Sequence, residues 1–353
     1  MNTDEIKEKM LHRIRATGRS ELTFKTYWGW CEKYIDFLRQ HAEEFRNPEL
    51  TSRSKAERWL SSLANGKEWV SKNTQNLALQ SICYLYREVL KQPLEGVSAL
   101  RSKRPENVRE VVDQSELIRL FRALRGVELL AAQLMYGCGL RIGDVAKLRI
   151  KDISFERSQI HIHSGKGDKS RYVPFPNVLH EPVKKQIESM RVVHADDVRQ
   201  NLNGVSLPDG FGRKCKSAHL EFAWWYLFAS DNYSKCHRSG TLYRHHRDKS
   251  HIGRLIKDAV KRAGIDKRIT SHCLRHSWAT HSNEMGVDIR TLQVLLGHTD
   301  IRTTEIYVHA NKDKATASKS PLESLLANPD LQQEIRKEHQ VQVQKPTLRI
   351  FAG

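Results

Sequence analysis

IKDISFERSQIHIHSGKGDKSRYVPF occupies residues 150–175. Ile150 to Phe155, Gln159 to His163 and Arg171 to Phe175 read as three short strands, with apolar and polar residues alternating through Gln-Ile-His-Ile-His. Gly165-Lys166-Gly167-Asp168 turns the second strand into the third, because glycines on both sides of Lys166 let the backbone bend tightly. Outside this stretch the apolar period changes from two to three-and-four. The expectation is a mainly α chain with a small antiparallel sheet.

Just upstream stands Gly139-Leu-Arg141-Ile-Gly-Asp144, which places an arginine at the entrance of a short helix after a glycine turn. Asp144, one turn on, is expected to hold the Arg141 guanidinium by a bidentate bond. The same pair also reads as a surface ion pair at a helix start. A helix from about Val127 to Tyr136 ends at Gly137-Cys-Gly139, and before it Asp113-Gln-Ser-Glu116 has the form of a capping box. Residues 101–110, RSKRPENVRE, hold a proline and four basic groups without apolar periodicity, and read as a linker. Residues 20–92 read as all-helical. Tyr27, Trp30, Cys31, Tyr34, Phe37 and Leu38 mark one buried face. Ser52 or Ser54 is expected to cap a second helix and Ser71 a third.

Downstream, the chain is expected to be helical from about residue 252 through three capped segments ending near Tyr307. A further helix begins at Ser320-Pro321. His272 and Arg275 lie three apart and so share a helix face. Gly297 is suited to end the next helix with a left-handed residue and so present His298. Tyr307 follows nine residues later with a hydroxyl that suits a nucleophile. Singly, each histidine reads equally well as a core or surface residue, and Tyr307 as packing.

The composition narrows the partners. In 353 residues, 59 Lys and Arg against 41 Asp and Glu give a net charge of +18. Such a balance suits a polyanion, because each cation set against a phosphate releases a condensed counterion; a solvated basic surface is the alternative. Nucleic acid leads over anionic membrane, since neither terminus carries a strongly basic amphipathic helix. The longest apolar runs, Leu129 to Ala132 and Phe222 to Ala229, fall far short of the roughly 20 residues of a membrane helix. The N-terminus MNTDEIKEKM has no apolar core for a secretory signal. A cytoplasmic protein is expected.

Six cysteines occur with no CxxC pair, which fits a reducing compartment. Cys215, Cys236, His237, His245 and His246 fit no common zinc spacing. GKGDKS lacks the upstream glycine of a nucleotide-binding loop, since Ile160 stands there. No cofactor and no metal are expected.

GLRIGD (139–144), GKGDKSRYVP (165–174), HCLRHSWATH (272–281), LLGHTD (295–300) and TTEIYVH (303–309), in this order, resemble the catalytic signature of the tyrosine recombinases, the phage-integrase family. The resemblance implies a two-domain architecture. Residues 1–105 would form a helical, SAM-like core-binding domain, joined by a linker at about 101–110 to a mixed α/β catalytic domain at 111–328, with a tail at 329–353. It implies a catalytic set of Arg141, Lys166, His272, Arg275 and His298, with Tyr307 as nucleophile. It also implies self-association to a tetramer on DNA, through the Ser320-Pro321 helix docking on a neighbouring protomer. Docking back on its own domain is the alternative. The family usually has Glu where Asp144 stands.

A finer resemblance is to the integron integrases. It rests on GVSLPDGFGRKCKSAHLEFAWWYLFAS (204–230), SGTLYRHH (239–246), AGIDK, DIRT and SPLESL. It implies an extra segment at about 195–250, in which Trp224, Trp225, Arg244, His245 and His246 contact DNA, including folded single strands. Cys215-Lys-Ser, Cys236-His-Arg and Tyr243 depart from that branch. The aromatic run reads either as a small satellite core or as a base-stacking platform. The function implied is a site-specific recombinase that integrates or excises gene cassettes through a covalent 3′-phosphotyrosine. A phage- or transposon-type recombinase acting on duplex sites, and a non-catalytic DNA-binding protein on the same scaffold, are the competing readings. No carboxylate cluster among these islands suits two-metal nuclease chemistry.

Overall fold

The computed structural model describes residues 2–65, 69–103, 110–163, 170–208, 217–236, 240–298 and 320–326, with Phe211, Cys215 and Pro329. Lys166, Tyr307, His237, most of the linker and the tail beyond Pro329 lie outside the described residues. The chain divides into two compact units, Met1–Val108 and Arg109–Gly353.

The first unit is helical: α1 (Thr3–Ala16), α2 (Glu21–Gln40), α3 (Ser52–Asn65) and α4 (Lys72–Tyr84), which runs into a π-helical turn at Leu85–Leu90. α1 lies ahead of the residue-20 start expected from periodicity. Ser20 and Ser71 cap α2 and α4 by accepting the Thr23 and Thr74 N–H groups, each at 3.2 Å. The cap of α3 is neither Ser52 nor Ser54 but Thr51, whose hydroxyl accepts the Ser54 N–H at 3.1 Å. Two cores flank α2. Tyr34 meets Trp59, Leu60 and Ile82 on one side, while Trp28 and Cys31 meet Met10, Ile14 and Tyr84 on the other. A helix buried on two sides needs more apolar positions than a single stripe, which is why Trp28 joins the core.

The second unit surrounds α6 (Gly126–Gly137), buried continuously from Leu129 to Gly137. Such a helix must be covered on all sides. Around it pack α5 (Gln114–Ala123), α7 (Ile142–Lys147), α8 (His180–Arg199), α9 (Lys249–Arg262), α10 (Ser271–Glu284) and α12 (Pro321–Leu326). α11 (Ile289–Leu296) follows α10. The expected Asp113–Glu116 capping box is formed, with the Asp113 N–H bonded to Glu116 at 2.9 Å.

A three-stranded antiparallel sheet, β1 (Ile153–Ser154), β2 (Gln159–Ile162) and β3 (Arg171–Pro174), has Ile160 opposite Val173 and His161 opposite Tyr172. Ile160, Ile162 and Val173 face the core, and Tyr172 stands 58% exposed on the other face. The first expected strand is cut to two residues. Ile150–Asp152 forms a 3-10 turn instead, and the Ile150 N–H donates to the Trp225 carbonyl at 2.9 Å. The intervening segment also carries an antiparallel pair, β4 (Ala229–Lys235) and β5 (Leu242–His246). Among the described residues, no helix is long and apolar enough to cross a membrane.

α12 settles against its own unit. Leu322, Leu325 and Leu326 are buried in the main core, and the Ser320 hydroxyl donates to the Gly137 carbonyl at 2.9 Å. Any side chain at Gly137 would overlap Leu322. In the single chain, then, the apolar face expected to dock on a neighbour is already covered. Leu322→Asp is expected to lower the melting temperature sharply. Removing a buried leucine costs about 2–5 kcal/mol, and placing a carboxylate in that apolar core adds its desolvation. An unchanged thermal midpoint would show that α12 does not dock in this way.

Candidate active site

The turn from α6 into α7 is built on Gly139, whose φ of 63° is left-handed and whose missing Cβ leaves room for the Trp278 ring. This close packing sets the turn against α10. Arg141 then stands at the N-cap of α7, half-buried, and its guanidinium takes no hydrogen bond among the described residues. The expected bidentate bond from Asp144 is not made. Asp144 accepts the Arg141 backbone N–H at 3.2 Å and the Arg171 Nη2 at 2.8 Å. A carboxylate at the third position of a helix reaches back to the N-cap amide. The remaining attraction is taken by Arg171 from β3.

Arg275, on α10 and 5% exposed, ties three pieces of chain together. Nη1 donates to the Gly139 carbonyl at 2.6 Å, Nη2 donates to the Leu296 carbonyl at 2.5 Å, and Nη2 lies 3.3 Å from His298 Nε2. As expected, Gly297 ends α11 in the left-handed conformation, with φ 62°. His298 follows, its N–H bonded to the Gln293 carbonyl at 3.0 Å. Arg171 Nε donates to the Leu295 carbonyl at 2.9 Å. Two arginines therefore satisfy the last carbonyls of α11, at the negative end of its dipole. His272 is exposed one turn ahead of Arg275 on α10.

Arg275, His298 and the turn bearing Arg141 thus meet, while Lys166 and Tyr307 lie outside the described residues. The chemical capacity is clear: a guanidinium held in a fixed orientation beside an imidazole, with a second guanidinium on the adjoining turn, can receive a phosphodiester and stabilise added charge on it. Arg171 was missed in the sequence. Its partners, Asp144 and Leu295, are 27 and 124 residues away, so no local spacing signals them.

Of the two readings of the aromatic run in the extra segment, Trp225 takes the satellite-core one. Trp225 is fully buried with Val205, Tyr226 and Ala229, so its ring is closed to a stacking base. Arg244 is turned inward. Its Nε and Nη2 hold the two Asp197 oxygens at 2.7 and 2.6 Å, and Nη1 donates to the Ser230 and Asp231 carbonyls. An arginine held so tightly cross-links β5 to Asp197 of α8. Tyr233 donates to the same carboxylate at 2.6 Å, and burial with Asp197 pushes its pKa up to about 12. The half-buried His246 donates Nδ1–H to the Arg247 carbonyl at 2.8 Å, and burial lowers its pKa. His245 Nδ1 lies 3.0 Å from the Ser206 hydroxyl.

Trp224 is half-buried, as are His245 and His246. The Trp224 and Phe211 ring centroids are 4.3 Å apart at a tilt of 37°, with Lys151 Nζ 4.3 Å and the Arg149 guanidinium 5.7 Å from the Trp224 ring. Among the described residues one metal-type donor set converges, Asp152 with His161 and His163.

Residues 109–314 match the model of the phage integrase family, and residues 6–96 match that of the phage integrase N-terminal SAM-like domain. An integrase/recombinase of Escherichia coli is 36% identical over 322 residues, spanning 91% of this chain and 94% of the relative. The tyrosine recombinase XerA of Thermococcus onnurineus is 30% identical over 312 residues, spanning 86% and 90%. Two solved structures share the fold. XerH recombinase bound to its difH substrate has a TM-score of 0.57 at 18% identity, covering 88% of this chain and 82% of that one. The Tn1549 transposon integrase in complex with transposon right-end DNA has a TM-score of 0.55 at 16% identity, covering 92% and 99%. With family models across both units and relatives of this similarity over nearly the whole length, the chain belongs to the phage integrase family, the tyrosine recombinases.

Proposed function

We propose that this protein is a site-specific recombinase of the integron type, cutting and rejoining DNA at an integration site and at gene-cassette sites. The observation that carries the catalytic part is Arg275, buried and bonded at once to the Arg141 turn, the end of α11 and His298. Arg141 and Arg275 hold the non-bridging oxygens of the scissile phosphate. The Tyr307 oxygen attacks phosphorus, and the 5′-oxygen leaves with a proton from Lys166. A free tyrosine has a pKa near 10, so at pH 7 the phenolate costs roughly 4 kcal/mol. His272 and the surrounding cations recover part of that, and His298 bonds the phosphate. The 3′-phosphotyrosine conserves the bond, so religation needs no ATP.

The 1–108 unit serves as the core-binding domain and the 109–353 unit as the catalytic domain, closing on DNA with the net charge of +18 as attraction. This fits a cytoplasmic protein that assembles as a tetramer on its sites. The integron assignment is supported by the motifs at 204–230 and 239–246 and by the separate small core and β4–β5 pair they form. A recombinase limited to duplex sites is the second reading. It is favoured by the burial of Trp225 and Arg244, which takes two residues away from single-strand recognition.

A nicked substrate that loses its 5′-hydroxyl fragment should trap a covalent adduct with the full-length protein. No adduct on any candidate site would remove the catalytic reading. The finer reading is tested by comparing the two strands of a hairpin cassette site. Trp224→Ala is expected to weaken binding to a folded strand with bulged bases by about 10-fold, since stacking is worth roughly 1–3 kcal/mol per base. A fully paired site should lose much less. Equal losses on both would favour the duplex reading.

A further inference from the structure

We propose that Asp152, His161 and His163 form a binding site for a divalent transition metal of the zinc type, at the end of β2, the central strand of the three-stranded sheet. Their donor atoms all lie within 4.8 Å of one another. The backbone builds the cluster. His161 and His163 alternate with Ile162 along and just beyond β2, so both rings leave the core on one face while Ile162 enters it. Ile153 of β1 pairs with Ile160, and Asp152, one residue earlier, is carried alongside His161. His163 Nε2 lies 2.8 Å from Asp152 Oδ1, and the two imidazole rings are 4.1 Å apart.

The surroundings resemble those that orient ligands in metal sites. Asp152 has a side chain only 4% exposed, and its Oδ2 lies 3.4 Å from the Arg149 N–H. The His161 ring stacks on Tyr172 at 4.6 Å with an interplanar angle of 17°. Such outer partners hold a carboxylate and an imidazole in their coordinating orientations. Two imidazoles and one carboxylate suit zinc, cobalt or nickel rather than magnesium or calcium, which prefer oxygen alone. With three protein ligands and His163 exposed, water completes the coordination.

The carboxylate already has a cation beside it. Lys151 Nζ is 3.1 Å from Asp152 Oδ1. A divalent ion takes over that charge compensation, and Lys151 retains the face of the Trp224 ring, 4.3 Å from its ammonium. Metal entry therefore exchanges one cation for another at a buried carboxylate, without stranding either charge. It also ties the end of β2 to the turn before β1. The proposal does not depend on recombinase activity, because its readout is binding.

The test uses the full-length protein stripped with a chelator. Zinc titration by calorimetry should show one saturable equivalent lost in the His161→Ala, His163→Ala double variant. Cobalt should give ligand-field bands without a thiolate charge-transfer band. His163→Ala alone, at an exposed position, should weaken zinc binding by more than about tenfold while the metal-free melting curve stays unchanged. Absence of saturable zinc binding, a thiolate band, or undiminished binding in His163→Ala would each overturn the site.

Discussion

Tyr307→Phe is expected to yield no covalent protein–DNA adduct while binding DNA as the parent does. Phenylalanine keeps the aromatic ring and removes only the oxygen that would bond to phosphorus. Water cannot substitute and still leave the protein attached, so the loss on a denaturing gel should be complete rather than partial. Affinity measured in the same buffer should change little, because protein–DNA affinity is carried mostly by contacts to phosphates rather than by any single neutral group. An undiminished adduct would move the nucleophile to another residue.

The second large effect separates two arginines to which the proposed mechanism gives one chemical role. Arg141→Ala and Arg275→Ala should each slow strand cleavage by on the order of 10²-fold or more, as expected for losing a group that stabilises transition-state charge. Their stabilities should differ. The Arg141 guanidinium has no hydrogen bond among the described residues, so its loss should leave stability within about 0.5 kcal/mol. Arg275 satisfies the Gly139 and Leu296 carbonyls from a buried position. Truncating it leaves those acceptors unpaired, at about 1–3 kcal/mol each. Thermal unfolding and single-turnover cleavage of both variants check this. Equal destabilisation would show that Arg141 is also a structural arginine, and retained cleavage in either would remove it from the phosphate site.

What could be read directly from the residues was whatever depends on neighbours a few positions away. The cap at Ser71, the box at Asp113 and Glu116 and the left-handed Gly297 before His298 are all local, and each is formed. The fold class followed from the change of apolar period around residues 150–175, and the family from five short islands in order. The approach of Arg275 to His298 was implied by those islands rather than by any local spacing.

Only tertiary structure decided which partner a charged or aromatic group would take. Asp144 and Arg141 are one helical turn apart, yet Asp144 pairs with Arg171 because β3 brings that guanidinium to 2.8 Å. Trp225 and Trp224 are adjacent in an aromatic run, yet the backbone turns one fully inward and leaves the other half-buried beside Lys151. Arg244, in a basic stretch that suggests phosphate, is claimed by Asp197, 47 residues away. The face of α12 is covered because α6 ends in a glycine with no side chain to keep Leu322 away. In each case the sequence specifies the chemical need, an apolar surface to bury or a charge to compensate. Several groups in the chain meet that need equally well. The choice among them is made by the packing of elements distant in sequence, which brings one candidate within bonding distance and holds the others apart.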